Sequence, residues 1–342
     1  MDQVQAKQIF DKVEAVYRKQ VWFPESRAWN YPLLAALTLA TYHARHADAW
    51  PIIDIDGMTG SGKGQVVAVL HALAWRARPI TVVPTVAQLY RYAHVKKGKE
   101  PKVTIWDEAR VQSSQADVRA VLNAGVERGK GVPRMLGSKS VMFKPWGFKV
   151  LVHEEPLPRS MQSLHRRCIR VLTVRANDFV PALPRLRDVR RAAEALRPEL
   201  ERWHDAEIEP LLVEYLHNRG REKLVGDERP TWHLVLAVAE FCGRLDAVMP
   251  ALRAHRAERL GDVNEMWRAR ALPIMQSTDP KARRASDLME ALRKRLGADM
   301  PPLNHHSMGK LLREAISRGE LPWRERQLHG ATVYERAVHD GV

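Results

Sequence analysis

The chain has 342 residues, 45% hydrophobic and 28% charged, which suits about two folded domains with a core that needs no staples. Two cysteines, Cys168 and Cys242, exclude a disulfide framework and point to a reducing, cytoplasmic setting. A formal net charge of +15 points to a polyanion, nucleic acid first, against the plainer reading of an Arg-rich proteome. No secretory pattern opens the chain, and the most apolar early stretch, Tyr31 to Tyr42, is too short to span a bilayer.

The N-terminal segment, 1–48, reads as helical. Residues 2–19 form an amphipathic pattern with Val4, Ile9, Phe10, Val13 and Val16 near one face, and Asn30 caps a second helix to about His46. Residues 49–178 alternate strands with helices. A β-rich run from Pro51 to Asp56 enters a glycine loop, and a helix leaves it from Gln65 to Leu73. Strand patterns follow at 79–83 and 102–106, with a helix over 115–127. Val132 to Met135 and Val141 to Phe143 then form a hairpin with a basic tip, and strands follow at 148–152 and 168–174. This predicts a three-layer α/β domain with a mostly parallel sheet. Residues 179–278 read as a helical extension, with helices over 186–216 and 232–257. Beyond a linker near Pro280, 279–342 reads as helix 285–296, a helix capped by Ser307 running to Ser317, and a hairpin turning at Leu328-His329-Gly330. That order suggests a winged helix.

The loop Gly57-Met58-Thr59-Gly60-Ser61-Gly62-Lys63 has the spacing G-x-x-x-x-G-K. Its glycines let backbone N–H groups curl around phosphate oxygens, and the following helix aims its positive end there. Lys63 supplies the charge for the β- and γ-phosphates of ATP. One residue departs from the pattern: Gly64 stands where a Ser or Thr hydroxyl ordinarily ligates Mg²⁺, and Gln65 brings no hydroxyl. Thr59 and Ser61 are the alternative hydroxyls. The apolar strand Val103-Thr104-Ile105-Trp106 ends in Asp107-Glu108, a Walker B arrangement. Asp107 would hold Mg²⁺ and Glu108 would polarise the attacking water.

From about Val21 to Trp203 the chain resembles the AAA+-like helicase and replication ATPase domain of phages and mobile genetic elements. The resemblance rests on Gly57 to Lys63, Thr85 to Arg91, Trp106-Asp107-Glu108-Ala109, Leu122-Asn123-Ala124-Gly125 through Arg128-Gly129, and Leu157-Pro158 through Ile169. It implies a ring-forming ATPase acting on DNA, a homo-hexamer by expectation, with single-stranded DNA in a central pore. It assigns a trans-acting arginine finger to Arg167, with Arg166 as alternative. It places a pore hairpin where Arg128, Lys130, Arg134 and Lys139 would meet phosphates. It expects a polar sensor where His153 stands, and a lid arginine among Arg185, Arg187 and Arg190.

In the tail, Lys310 and Arg313 share a helix face and Arg324 and Arg326 share a strand face, an arrangement suited to DNA. A protein-docking wing is the rival reading, and the His305-His306 pair lacks companion ligands for a metal. The expected function is an ATP-dependent DNA motor of a phage or mobile element, working with a primase, polymerase or initiator. The alternatives are a nucleotide-gated initiator or helicase loader with weak hydrolysis, motivated by Gly64 and His153, and a small-molecule kinase.

Overall fold

The β-branched run Ile52-Ile53-Asp54-Ile55-Asp56 becomes a strand with neighbours on both sides. The computed structural model describes residues 1–78, 80–82, 86–96, 99–107, 109, 116–136, 138–154, 157, 162–174, 186–206, 210, 224, 228–266, 271–276, 283–296, 305–318, 320–328 and 331–336. The chain divides into two compact units, Met1–Leu252 and Arg253–Val342. The first holds α1 (Gln3–Gln20), α2 (Asn30–Ala40), β1 (Ile52–Asp56), α3 (Lys63–Leu73), β2 (Thr81–Val82) and α4 (Val86–Ala93). Then come β3 (Thr104–Asp107), α5 (Ala116–Ala124), a hairpin of β4 (Val132–Leu136) and β5 (Lys139–Phe143), and β6 (Lys149–His153). A single turn, α6 (Gln162–His165), leads to β7 (Cys168–Leu172), α7 (Leu186–Asp205), α8 (Glu228–Phe241) and the start of α9 (Leu245–Met266).

Five parallel strands form the sheet in the order β2-β3-β6-β1-β7. In register, Ile52 to Asp56 face Lys149 to His153 on one side and Cys168 to Leu172 on the other. Every residue of β1 and β6 is buried, as expected for a parallel sheet covered on both faces. Alternation sends Ile53, Ile55, Val150, Val152, Ile169 and Val171 into one apolar cluster, and Ile52, Trp106, Leu151 and Cys168 into another. The first cluster also takes in α1, α2, α3, α7 and α8; the second takes in α4, α5 and the base of the hairpin. Helices on both faces of a parallel sheet make this an α/β fold of the P-loop type.

Local chemistry explains the helix ends. Asp2 and Gln5 form a reciprocal capping box at the start of α1, with Asp2 Oδ1 accepting from the Gln5 amide at 2.8 Å. Its buried stripe is Ala6, Ile9, Phe10, Val13 and Tyr17, whereas Val4 is 67% exposed and lies off that face. Asn30 is the first residue of α2 rather than its cap. A 3-10 turn at Glu25–Arg27 runs into it, so Trp29 already has helical angles. The helical pattern over 232–257 breaks into α8 and α9 because Gly243 takes a left-handed φ of +64°. α7 ends at Asp205, with Trp203 donating its indole N–H to the Leu39 carbonyl at 3.1 Å.

Two buried polar groups constrain this unit. Lys149, 1% exposed, donates to the carbonyls of Gly125, Pro145 and Gly147 at 3.1, 2.6 and 3.0 Å. Burial pulls its pKa down to about 7, while three carbonyls match the three N–H bonds of the ammonium. A Cβ on Gly125 would lie 2.0 Å from the Lys149 Nζ, so only glycine fits there. His43 is fully buried edge-on to Trp203 at 4.8 Å, and burial, aided by His46, Arg45 and His204, lowers its pKa to about 3.

The second unit contains the rest of α9, then α10 (Leu272–Gln276), β8 (Arg283–Arg284), α11 (Ala285–Leu296), α12 (His305–Ser317), β9 (Trp323–Leu328) and β10 (Ala331–Arg336). Its sheet is antiparallel in the order β8-β10-β9. Met275, Leu288, Leu292, Met308, Leu312, Trp323 and Tyr334 form its core. α12 starts at His305, so Ser307 sits inside the first turn rather than at a cap. The turn residues His329 and Gly330 lie outside the described residues.

Gly125→Ala should destabilise the fold by about 1–3 kcal/mol through overpacking against Lys149, read as a lower urea midpoint. His43 gives a pH signature of defined sign. The fold keeps it neutral to about pH 3, whereas the unfolded chain binds the proton below about 6.5. Its contribution is whole above 6.5 and is lost as pH falls towards 3. The urea midpoint of His43→Leu should therefore fall less than that of the wild type between about pH 7 and about pH 4. Equal falls would contradict this assignment.

Candidate phosphate-binding site

β1 delivers the chain to the carboxyl edge of the sheet, where ligands of open α/β folds gather. The loop there turns through three glycines, Gly57, Gly60 and Gly62, with φ of +151°, +79° and +92°. Gly62 caps α3 from the left-handed region, and the amides of Gln65 and Val66 donate back to its carbonyl at 3.0 and 3.3 Å. Lys63 is the first residue of α3. Its ammonium donates to the carbonyls of Gly57 and Met58, at 2.5 and 3.0 Å, so it lies over the loop at the positive end of the helix. A backbone so curled, with a lysine above it and a helix N-terminus behind it, is suited to oligophosphate oxygens.

Thr173, which follows β7, braces the loop. Its amide and hydroxyl both donate to the Asp56 carbonyl, at 2.8 and 3.0 Å, and its Oγ1 lies 2.6 Å from Ser61 Oγ. A Cβ on Gly57 would stand 2.3 Å from that Oγ1, so Thr173 demands glycine at the loop's first position. Thr59 donates its hydroxyl to Glu154 Oε1 at 2.6 Å. Both alternative hydroxyls of the loop thus have partners in the chain. Gly64 opens onto free space: a Cβ there meets nothing within 4 Å. Gln65 follows it in the first turn of α3, and Met58 is 77% exposed.

Asp107, the last residue of β3, ends at the same edge as the loop. β6 lies between β3 and β1, so the two sites are about 10 Å apart across the sheet. Glu108 lies outside the described residues. His153 ends β6 between them, but its ring turns into the sheet and meets the buried Asp54 carboxylate. It therefore does not face the loop, and the residue beyond it, Glu154, does. Asp56 is likewise buried and receives Arg170, whose Nε donates at 2.9 Å. Among the described residues no group of three or more His, Cys, Asp or Glu gathers to hold a metal ion.

Arg167 sits at the opposite edge. It precedes β7, its carbonyl accepts from the Ile52 amide at 2.8 Å, and its guanidinium donates to Asn123 Oδ1 and the Ser163 carbonyl at 2.9 and 3.0 Å. Glu127 lies 3.7 Å from it. The length of β7 separates it from its own loop by about 16 Å, so it cannot touch a phosphate there. Arg166 accepts the Thr231 hydroxyl on its carbonyl at 3.1 Å. Of the lid candidates, Arg187 lies 3.8 Å from Asp188, Arg185 is outside the described residues, and Arg190 is exposed. Burial, with Arg190 adding, lowers the pKa of His71, two turns along α3 from the loop.

The hairpin forms in the expected place, with Val132 opposite Phe143 and Leu136 opposite Lys139. Its cations differ in setting. Arg134 is turned inward, paired with Asp117 and Tyr90 and stacked on the Tyr90 ring at 4.5 Å. Arg128 lies over the Trp146 ring at 4.8 Å, Lys130 pairs with Glu127 at 2.7 Å, and Lys139 is exposed. In the second unit Lys310 is exposed, Arg313 lies 3.8 Å from Glu325, and Arg324 and Arg326 share Glu335 at 2.7 and 3.9 Å. Pairs such as these, in which the arginine is exposed, hold for about 0–1 kcal/mol.

No family model matches the chain, and no curated protein matches it. Solved structures do. The SCCmec type IV Cch active helicase aligns over 96% of this chain and 70% of its own, at 11% identity and a TM-score of 0.52. The apo NrS-1 C-terminal region aligns over 96% and 75%, at 12% identity and a TM-score of 0.38. A JCV helicase aligns over 70% and 61%, at 16% identity and a TM-score of 0.31. The first likeness establishes a shared fold; the other two are too distant to weigh.

Gly57→Ala should abolish triphosphate binding and also lower the melting temperature, because its Cβ displaces Thr173. Lys63→Ala should weaken binding at least about tenfold and leave the melting temperature unchanged. Calorimetric titration paired with thermal melts separates the two.

Proposed function

We propose that this chain is an ATP-dependent DNA motor, a ring-forming replicative helicase or helicase-like ATPase of a phage or mobile element. The observation that carries this reading is the shared edge: the glycine loop with Lys63 after β1, and Asp107 after β3. The likeness of fold to the Cch helicase supports it.

In this reading, backbone amides of Gly57 to Gln65 surround the phosphates of ATP, and Lys63 moves from the Gly57 and Met58 carbonyls to the β- and γ-phosphates. Asp107 would hold Mg²⁺, which would supply charge to offset that of the phosphates. Glu108 orients the attacking water. Arg167 cannot serve its own loop, so it serves a neighbour's, which ties turnover to a hexameric ring. Arg128, Lys130, Arg134 and Lys139 contact single-stranded DNA in the pore; Arg134 must leave Asp117 to do so. The second unit acts as a winged helix, presenting Lys310, Arg313, Arg324 and Arg326 to DNA or to a primase, polymerase or initiator. No helix among the described residues is long and apolar enough to cross a membrane.

Gly64 favours a second reading, a nucleotide-gated initiator or loader with slow hydrolysis. Neither loop hydroxyl is unengaged to replace the missing one. The two readings part in one assay. A motor hydrolyses ATP faster with single-stranded DNA and loses this on Lys63→Ala; no stimulation, or no loss, would sink it. A loader binds DNA with ATP but scarcely turns over. Gly64→Ser adds the hydroxyl without a clash and should raise turnover at limiting Mg²⁺; unchanged turnover would mean that the hydroxyl is not what limits it.

A further inference from the structure

The edge of the first unit opposite the phosphate loop carries a group of lysines that the motor reading does not use. Lys96, Lys99, Lys102 and Lys144 are all exposed. The backbone brings them together. The Val95 amide donates to the Lys144 carbonyl at 2.9 Å, which sets Lys96 beside Lys144, and the Lys99 amide donates to the Lys96 carbonyl at 3.0 Å. Gly147 approaches so closely that a Cβ on it would lie 3.1 Å from Pro101 and 3.2 Å from the Lys102 carbonyl. None of the four lysines makes an ion pair among the described residues, whereas Lys7, Lys12 and Lys130 do. The acid in their midst is turned away. Glu100 accepts the Trp75 indole N–H at 3.1 Å and lies 3.5 Å from both Arg45 and Arg76.

The lysine group continues onto an apolar surface. Lys144 follows β5, and the hairpin's outward face carries Met135 and Met142, 64% and 52% exposed. Met142 stands opposite Pro133, and Met135 is two residues further along the same face. Unneutralised cations beside exposed apolar side chains match a polymer that offers phosphates along one side and unstacked bases along the other. Duplex DNA hides its bases, and an acidic peptide lacks them.

We infer that Lys96, Lys99, Lys102 and Lys144 bind the phosphate backbone of single-stranded nucleic acid, with its bases laid on Met135 and Met142. This surface runs from the hairpin's base, at Lys144, along one face towards its tip, at Met135, and uses none of the cations assigned to the pore. It rests on the DNA-motor reading.

The test uses the full chain and a fluorescein-labelled oligothymidylate, followed by anisotropy over a salt series. Replacing the four lysines with alanine should weaken binding at least about tenfold at low salt. It should also make the log–log salt slope shallower by about 3, at about 0.7 per lost single-strand phosphate contact. Restoring charge with arginine at the same positions should recover the slope. M135S/M142S should weaken binding with the slope unchanged. Wild-type binding with an unaltered slope in the alanine variant would overturn this inference and leave the motor reading standing. A wild-type chain that binds no single strand would overturn both. In parallel titrations with a labelled duplex and a labelled polyglutamate, a loss confined to either of these would overturn the single-strand assignment.

Discussion

Everything at the glycine loop depends on the pairing of β1 with a strand on each side. Its register with β7 brings Thr173 under the loop, and its register with β6 brings Glu154 to Thr59. The same pairing buries Asp54 and Asp56 and obliges the neighbours to answer them, His153 from β6 and Arg170 from β7. Buried carboxylates without partners are costly, so these contacts favour one register over its neighbours. A slip of one residue would turn Asp54 into the cluster of Ile53 and Val150. The loop's shape is thus a consequence of the sheet, and its glycines let the backbone comply.

The parallel sheet also separates two chemistries. Its carboxyl edge carries Lys63 and Asp107; its amino edge carries Arg167, Arg128 and the lysines around Lys144. About 16 Å of strand lies between them. A single chain therefore cannot bring Arg167 to its own glycine loop. Under the motor reading this separation makes assembly a condition of turnover, and it puts the cationic edge free to meet a polyanion.

Much of this was legible in the sequence, for a local reason. The strand, three glycines, lysine and helix are consecutive, and Asp107 ends an unmistakable apolar strand. The hairpin and α11 follow from alternation and helical period over short windows. What was not legible depends on residues far apart in the chain. Thr173 matters only because β7 lies next to β1, more than a hundred residues earlier. His153 reads as a residue of the cleft until Asp54 draws it inward. Arg134 reads as a hairpin cation held ready for phosphates until Asp117 and Tyr90 hold it. Gly125 sits in a segment that suggests a family resemblance, but its physical reason is the Lys149 ammonium packed against it. The break at Gly243 and the outward turn of Val4 leave the helical period almost unchanged, because periodicity tolerates one misplaced residue.

Under the motor reading, ATP hydrolysis needs the loop of one chain and Arg167 of another. Mixing Lys63→Ala chains with Arg167→Ala chains tests it most directly, read as ATP hydrolysis with single-stranded DNA. Each variant alone should be inactive, and the mixture should recover activity, because intact loops then meet intact arginines. A mixture as inactive as its parts, or an Arg167→Ala chain as active as the wild type, would contradict the account.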